Sequence, residues 1–427
     1  MNTRPTPTRD AVVVGAGLAG LVAALRLARG GASVTLVSAG VGGLQLSQGT
    51  LDVLGYAPDR VLRPFQALDA FGAARPEHPY ATLGAAAVRA GADFVADAVG
   101  PALLAPPSDA NLQLPTAVGA IRPTAAAQPS MAAADLARPG DHRFVVVGLR
   151  RLKDFQPALI AGNLARTPAP GGGSIAARPD WVDVEARPGE HDTSGLTYAR
   201  RLDDPDFRQG FARAVAAVAA DGETVLLPAL LGLDDPSAHA DLERLIGHPV
   251  AEIPLPPPGV PGMRLYRALS KAVRDAGVRV VSGSWVVDKV VEGDRLAALV
   301  VGETGRRVEF RARNFVFAPG GFESGALAVD SYGAITETAL GLPLTAAHSA
   351  GLIHGDFWGS DQALFGVGVR VDPAMRVLDA AGAPVYANLH AAGGILAGAS
   401  RWREKSGEGI AAASALVAAD HILTEAS

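Results

Sequence analysis

The chain has 427 residues, a length that predicts two or three domains, and 48% of its residues are hydrophobic, enough for a sizeable core. The net charge is −5 and no long basic run is present, which argues against a nucleic-acid partner. No apolar stretch of about 18 residues is free of charges or turn signals, so no membrane span is predicted. The first ten residues lack a signal-peptide core, and we expect a cytoplasmic protein. Cysteine is absent, which excludes thiolate nucleophiles and cysteine-ligated iron–sulfur clusters in this chain.

The segment from residue 10 to residue 40 carries the strongest motif. Val12–Val14 predict a short buried strand, and residues 21–29 and 33–37 predict a helix and a second strand. In such a unit the first glycine of a G-x-G-x-x-G turn permits the bend, the second lets a pyrophosphate approach the backbone, and the third lets the helix pack closely on the sheet. The order of elements predicts a phosphate site at the helix start, a ligand-free tight turn being the alternative. The glycines of the turn are Gly15, Gly17 and Gly20.

The end of the second predicted strand departs from the usual dinucleotide pattern. An acidic residue commonly stands there and accepts a hydrogen bond from a ribose hydroxyl, whereas this chain has Ser38. A serine accepts a hydrogen bond without a charge. The motif therefore predicts the phosphate half of a site and leaves the adenosine half open.

The loop at 42–52 mixes glycine with Ser, Gln and Thr. This composition suits a loop that wraps a polar ligand with backbone amides, and an ordinary connection is the alternative. Its candidate cofactor-binding residues are Gly42, Gly43, Ser47 and Gly49.

Near the C-terminus, two predicted strands end in glycine turns and a further glycine pair precedes the predicted helix 410–422. Amides ahead of a helix again form an acceptor-binding site. Two helix starts far apart in the sequence suit one long cofactor, the first binding phosphate and the last facing the pyrimidine edge of a flavin ring. A simple nicotinamide enzyme does not need the second. The candidates here are Gly320, Gly321, Gly393, Gly394, Gly407 and Gly409.

The middle of the chain offers no second nucleotide site. The apolar run at 144–148 and the helical pattern after it form another strand–helix unit, but Gly148 stands there without a G-x-G-x-x-G. The pair Asp234-Asp235 precedes a proline and predicts a charged helix start, so no metal site is predicted. The proline-rich run 253–262 is the clearest boundary, because it suits neither a helix nor a central strand.

These patterns predict an α/β protein with a discontinuous, Rossmann-like flavin-binding domain and an inserted α+β cap domain. Its flavin-binding parts are expected at 1–55, 253–328 and 381–427. The inserted cap or partner-facing domain is expected at 56–252, with a small cap excursion at 329–380.

The glycine unit at 15–20, the strand end FAPGGF and the C-terminal NLHAAGG and GEG segments resemble flavoproteins of the fumarate reductase/succinate dehydrogenase type. Seven further segments, in order along most of the chain, resemble the family of the B subunit of the anaerobic glycerol-3-phosphate dehydrogenase. They are LSQGTLDVL (46–54), HPYATLG (78–84), VVVGLRRLKDFQ (145–156), LPALLGLDD (227–235), LPPPGVPGMRL (255–265), GDFWG (355–359) and NLHAAGGILAG (388–398).

The resemblance implies a flavin subunit that pairs with a second flavin subunit (the A subunit) and docks on a membrane-associated iron–sulfur subunit (the C subunit). Such a complex oxidises sn-glycerol 3-phosphate to dihydroxyacetone phosphate and passes electrons to quinone at the cytoplasmic face of the inner membrane. The family's flavin is usually FMN, while the glycine motif ordinarily suggests FAD, so FMN is expected and FAD is the alternative. A self-sufficient flavin oxidoreductase acting on another small substrate and a non-catalytic assembly protein are the alternative functions.

A fumarate reductase-like active site needs an arginine acid and histidines that bind carboxylates. The candidates here are His354, Arg264, Arg370 and His390. Each has an ordinary structural alternative, and none stands out as the base that hydride removal from an alcohol needs. This pattern fits a subunit that relays electrons while its partner carries out the substrate chemistry.

Overall fold

A computed structural model describes residues 4–303, 305–356 and 359–425, so positions 357 and 358 of the GDFWG segment lie outside the described residues. The strands are β1 Arg4–Pro5, β2 Arg9–Val14, β3 Val34–Ser38, β4 Leu112–Pro115, β5 Ile121–Thr124, β6 His142–Leu149, β7 Ile175–Val182, β8 Thr224–Pro228, β9 Val250–Ile253, β10 Arg279–Ser282, β11 Trp285–Glu292, β12 Arg295–Glu303, β13 Arg306–Phe317, β14 Leu327–Val329, β15 Ile335–Glu337 and β16 Leu389–Ala391. The helices are α1 Leu18–Arg29, α2 Pro64–Ala74, α3 Pro79–Val99, α4 Pro157–Leu164, α5 Gly195–Leu202, α6 Pro205–Ala216, α7 Ala238–Ile246, α8 Val260–Asp275, α9 Arg401–Glu404 and α10 Gly407–Glu425.

The chain divides into two compact units. Unit 1 comprises residues 1–43, 52–98 and 268–427, and unit 2 comprises 44–51 and 99–267. Among the described residues, no helix combines the length and hydrophobicity needed to cross a membrane.

Unit 1 is built on a mixed eight-stranded sheet in which β10, β3, β2 and β13 lie side by side and run parallel. Strand β13 changes partners along its length. Its first half pairs antiparallel with β12, whereas Ala312 to Phe317 pairs parallel with β2, and the last three of these residues also pair with β16. The carboxyl ends of β2, β13 and β16 therefore meet at one edge of the sheet.

Three helices of unit 1 pack through small residues. Helix α1 packs against the alanine-rich α10, and Arg26 of α1 pairs with Asp420 of α10 at 2.6 Å. Helix α3 approaches α10 so closely that a Cβ on Gly91 would lie 2.6 Å from the backbone nitrogen of Ala413. This close packing holds the C-terminal helix in unit 1.

Unit 2 has its own parallel sheet, in the order β7-β6-β8-β9, and a separate β4–β5 hairpin. The apolar residues of β6 and β8 are fully buried, as continuous apolar runs in a two-sided parallel sheet require. The core also takes in apolar side chains of helices α4 to α7.

A buried ion pair lies in unit 2. The Arg264 guanidinium donates to both carboxylate oxygens of Glu252, at 2.7 and 2.9 Å, and to the carbonyl oxygen of Gly232. Burial alone raises the pKa of the Glu252 carboxyl, but the Arg264 charge and hydrogen bonds from Arg264, Ser130 and Leu231 outweigh it, so the pKa lies below its ordinary value. The pair therefore stays charged at neutral pH.

The expected α/β class is confirmed, with a discontinuous Rossmann-like unit and a second unit that has its own sheet. The borders of the compact units differ from the domain borders expected from the sequence. Residues 52–98 belong to unit 1, and unit 2 extends to residue 267, beyond the expected border at 252.

Replacing Glu252 by Gln should lower the free energy of unfolding by about 3 kcal/mol, because the buried Arg264 guanidinium would lose its counter-ion. Urea denaturation measures the change. The exposed pair of Lys271 and Asp275 provides the control, and Asp275→Asn should change stability by less than about 0.5 kcal/mol. Equal changes in the free energy of unfolding for the two substitutions would show that the buried pair contributes no more stability than the exposed pair.

Candidate functional site

The turn between β2 and α1 is shaped by close contacts between backbone atoms. Gly15 has φ +102°, and a Cβ there would collide with the carbonyl oxygen of Ala318, just beyond β13. A Cβ on Gly20 would collide with the carbonyl oxygen of Gly15. Both positions therefore require glycine for structural reasons.

Gly17 is different because no heavy atom of the described residues lies within 4 Å of where its Cβ would be. It is the N-cap of α1 in extended backbone, with φ −75°, and its helix start has neither a side-chain cap nor an acidic residue in the first turn. The positive end of the helix dipole and the first, uncapped turn of α1 therefore lie beside the open space at the Gly17 Cβ position. This is a cradle that fits a phosphate group.

The loop after β3 lies against this cradle. A Cβ on Gly42 would be 2.5 Å from the carbonyl oxygen of Ala16 and 2.6 Å from the backbone nitrogen of Gly17, whereas Gly43 faces open space. The Ser38 hydroxyl donates to the carbonyl oxygen of Gly40 and accepts from its amide. Ser38 is therefore tied into its own turn.

The ends of β13 and β16 bring their glycine pairs to the same place. A Cβ on Gly393 would lie 2.8 Å from the Ala19 side chain of α1, and a Cβ on Gly321 would lie 3.0 Å from the carbonyl oxygen of Gly394. Gly320, with φ +92°, turns the chain immediately before Gly321. Residues far apart in the sequence thus surround the start of α1.

The start of α10 packs on two other segments of unit 1. The amide of Gly409 donates to the carbonyl oxygen of Asp52 at 2.8 Å, and a Cβ there would lie 2.5 Å from the Tyr80 hydroxyl. A Cβ on Gly407 would lie 3.8 Å from the Cβ of Arg401. The amide of Gly409 is therefore already engaged within the protein.

Two candidates of the glycine-rich loop, Ser47 and Gly49, lie in unit 2. The Ser47 hydroxyl accepts from the amide of Gly49 at 3.2 Å. A Cβ on Gly49 would lie 2.5 Å from the side-chain nitrogen of Gln128. The contacts shown for these two residues are thus contacts within unit 2.

The structure does not gather the candidate catalytic residues of unit 1. Arg370 is exposed and donates to the carbonyl oxygen of Asp379 at 2.7 Å. His354 lies in an exposed loop, where its ring contacts Ser360 and Gln362. Arg264 belongs to unit 2 and is held by Glu252. The contacts shown for these residues within each unit are with structural partners, so their catalytic role stays a prediction.

His390 is completely buried on β16, and within the described part of the chain neither of its ring nitrogens has a hydrogen-bond partner. Its ring meets that of His421 edge to face, with 5.5 Å between the ring centroids. Burial, aided by the nearby His421, lowers the pKa of His390 to about 4. His390 is therefore a neutral core residue at pH 7.

An arginine that the sequence reasoning missed lies at the glycine turns. A Cβ on Gly394 would lie 2.5 Å from Nη1 of Arg401, and a Cβ on Gly321 would lie 3.0 Å from its Nη2. The guanidinium also donates to the Glu323 carboxylate, at 3.1 to 3.4 Å. Arg401 thus covers the ends of two strands of the site.

A second missed group anchors the segment that carries Arg401. His78 Nδ1 accepts from the amide of Tyr80 at 3.0 Å, so the neutral ring carries its proton on Nε2, 3.1 Å from the Glu404 carboxylate. Burial alone raises the pKa of Glu404, but hydrogen bonds from His78, Ser406 and the backbone amide of Ser400 hold it below its ordinary value. The carboxylate therefore remains charged and bound.

The signal for these groups was present in the run SRWREKSGEG at 400–409. Charged residues immediately before a helix that starts with glycines are candidates for a site, although only the glycines of this run were predicted to bind a cofactor. The run itself does not indicate that Arg401 lies close to Gly321, which is far away in the sequence. Among the described ranges 4–303, 305–356 and 359–425, no group of three or more His, Cys, Asp or Glu could hold a metal ion.

Comparisons with known proteins first define the class. The model of the FAD-binding-domain family matches residues 10–410. This span includes the phosphate cradle of α1 and the glycine turns after β13 and β16, and the open, uncapped start of α1 fits the phosphate of a flavin. The fold and the site are therefore those of a flavoprotein.

Proteins with similar sequences identify the family more specifically. The B subunit of the anaerobic glycerol-3-phosphate dehydrogenase of Yersinia pseudotuberculosis is 31% identical over 437 residues, covering 97% of this chain and 98% of the relative. A Halobacterium salinarum relative with the same designation, given there as probable, is 34% identical over 418 residues, covering 96% of each chain. The chain belongs to this family of anaerobic glycerol-3-phosphate dehydrogenase B subunits, which confirms the resemblance inferred from its sequence. Among solved structures, an open flavocytochrome c3 fumarate reductase is 12% identical with a TM-score of 0.46, covering 99% of this chain and 79% of that one.

Replacing Gly17 by Val should abolish flavin retention, because the side chain would occupy the open space over the helix start. The extended backbone at Gly17 accepts any residue, so the loss of stability should be only about 1 kcal/mol. Flavin absorbance per protein measures retention. Gly210→Val, at a glycine of α6 that also faces open space, should keep the flavin. Full retention in the Gly17 variant would place the cofactor elsewhere.

Acid should destabilise this protein partly through His390. The unfolded histidine binds a proton near pH 6.5, whereas the folded one does so near pH 4, so between these values the unfolded state binds more protons and stability falls as the pH falls. The shift corresponds to about 3 kcal/mol. His390→Leu should therefore lose less stability than the native chain between pH 7 and pH 4 in urea denaturation. His354→Leu, at an exposed histidine, is the control, and parallel curves for all three proteins would contradict the prediction.

Proposed function

We propose that this chain is a flavin-carrying subunit of a complex that oxidises sn-glycerol 3-phosphate to dihydroxyacetone phosphate and passes the electrons to quinone. The observation that carries the proposal is the meeting of the β2, β13 and β16 ends around an uncapped helix start, in a chain whose relatives are named for this dehydrogenase. A bound flavin supplies the two-electron acceptor that oxidation of a secondary alcohol requires.

Within that complex we propose that this chain relays electrons and that a partner binds the substrate. The candidate residues support this division. Arg264 is held by Glu252, His390 is buried and neutral, and His354 and Arg370 lie on exposed segments. Within each unit, the contacts shown among the described residues tie these side chains to structural partners, which supports placing on a partner the base that accepts the hydroxyl proton of an alcohol.

The proposed partners are a second flavin subunit (the A subunit) and an iron–sulfur subunit (the C subunit). The relatives are named as one lettered subunit of a dehydrogenase, which supports an assembly with other subunits. This chain has no cysteine, so cysteine-ligated clusters that carry electrons to quinone would belong to another subunit. We propose that the iron–sulfur partner holds the assembly at the cytoplasmic face of the inner membrane.

Two observations favour different flavins. The matching family model is that of an FAD-binding domain. At the end of β3, however, Ser38 brings no carboxylate to a ribose, and its hydroxyl is occupied by Gly40. We propose FMN, with FAD as the alternative, because the group that usually holds the adenosine ribose is replaced.

Acid release of the flavin from the purified chain, followed by chromatography, should yield FMN. Ser38→Asp provides the matched variant, because it restores the usual acidic residue at this position and should raise the affinity for FAD relative to FMN. Recovery of FAD alone from the native chain would contradict the proposal of FMN and leave the proposal of a flavin subunit intact.

The isolated, flavin-loaded chain should reduce an artificial dye slowly or not at all with sn-glycerol 3-phosphate, because the substrate site is proposed to lie on the partner. The chain co-purified with the second flavin subunit should reduce the dye readily. Rapid turnover by this chain alone would contradict the relay role and favour a self-sufficient flavin oxidoreductase. A native chain that holds no flavin after supplementation would favour a non-catalytic assembly protein.

A further inference from the structure

The guanidinium of Arg401 occupies space that exists because Gly321 and Gly394 have no side chains. Its two terminal nitrogens lie over Gly394 and Gly321, where Cβ atoms would be 2.5 and 3.0 Å away. Each of these turns directly follows a strand that ends beside β2 or β13 at the cofactor edge of the sheet. Any side chain at Gly321 or Gly394 would displace the guanidinium from this position.

The segment that carries Arg401 is anchored on both sides. Glu404, at the end of α9, is bonded through its carboxylate to His78 and Ser406 and through its carbonyl oxygen to the amides of Gly55 and Tyr56. A Cβ on Gly398 would collide with the carbonyl oxygen of Glu77. These bonds fix the backbone on which Arg401 stands.

The side chain of Arg401 is held more loosely than this backbone. Its one carboxylate partner among the ion pairs of the described residues is Glu323, and the exposed fractions of the two side chains are 27% and 59%. A pair whose carboxylate is exposed and whose guanidinium is only half-buried contributes little stability. The Arg401 charge is therefore available to a stronger anion at the same place.

We propose that Arg401 is the cation that faces the cofactor in this site and that Glu323 is its exchangeable counter-ion. The inference rests on the proposed function, because it takes the anion to be the flavin, whose reduced form carries more negative charge than the oxidised form. A positive charge beside a flavin favours the reduced form, and a negative charge disfavours it. Arg401 raises the reduction potential of the bound flavin, and Glu323 lowers it.

The test is spectroelectrochemical titration of the flavin-loaded full chain and its variants. Arg401→Gln should weaken binding of the reduced flavin relative to the oxidised flavin roughly tenfold, which lowers the midpoint potential by about 30 mV for a two-electron couple. Glu323→Gln should shift the potential upward. Arg401→Lys keeps the charge and should restore most of the native potential.

Arg403 and Asp361 supply a matched control, because they form an exposed ion pair at 2.8 Å that also involves α9. Asp361→Asn removes the same charge as Glu323→Gln and should leave the potential unchanged. The inference is overturned if Arg401→Gln retains flavin at the native potential, or if Asp361→Asn shifts it as much as Glu323→Gln does. Either result leaves the proposed function standing, whereas a native chain without flavin overturns the proposed function and this inference together.

Discussion

The site of this protein depends on how closely the β2–α1 turn approaches the end of β13. At Gly15 only a hydrogen atom fits beneath the carbonyl oxygen of Ala318, and at Gly20 only a hydrogen atom fits over the carbonyl oxygen of Gly15. These contacts join the helix start to the sheet edge at van der Waals distance. Because β16 pairs with the other side of β13, its glycine turn is brought to the same helix start. These two close contacts therefore fix the position of the helix start at which we propose that a cofactor phosphate binds.

The buried charged side chains described in the two units stabilise the fold and are not free to bind a substrate. A buried charge is costly unless it is paired and hydrogen-bonded. Arg264 satisfies this rule through Glu252 in unit 2, and Glu404 satisfies it through His78 in unit 1. Arg264 was a candidate for the arginine of a fumarate reductase-like active site, but its bonds to Glu252 and Gly232 leave it little capacity for a ligand. The half-buried Arg401, whose ion-pair partner among the described residues is the exposed Glu323, is the contrasting case.

The family, the fold class and the first glycine turn could be predicted because each rests on local order in the sequence. A buried valine run, a glycine turn and a helix in that order are typical of a phosphate site, and all three lie within 20 consecutive residues of this chain. The positions of the units' borders could not be predicted in this way. They depend on which helix packs on which, as when Gly91 of α3 meets the backbone of α10.

The sequence by itself determined that α1 begins with an uncapped glycine turn, since a glycine has no side chain to cap it and no acidic residue follows in the first turn. It also determined that Ser38 brings no charge to the end of β3. Only the tertiary structure decided that Arg401 lies over Gly321 and Gly394, that His390 is a core residue and that Arg264 is already paired. The physical reason is that these roles depend on distance and burial between segments that lie far apart in the chain, which no local pattern records.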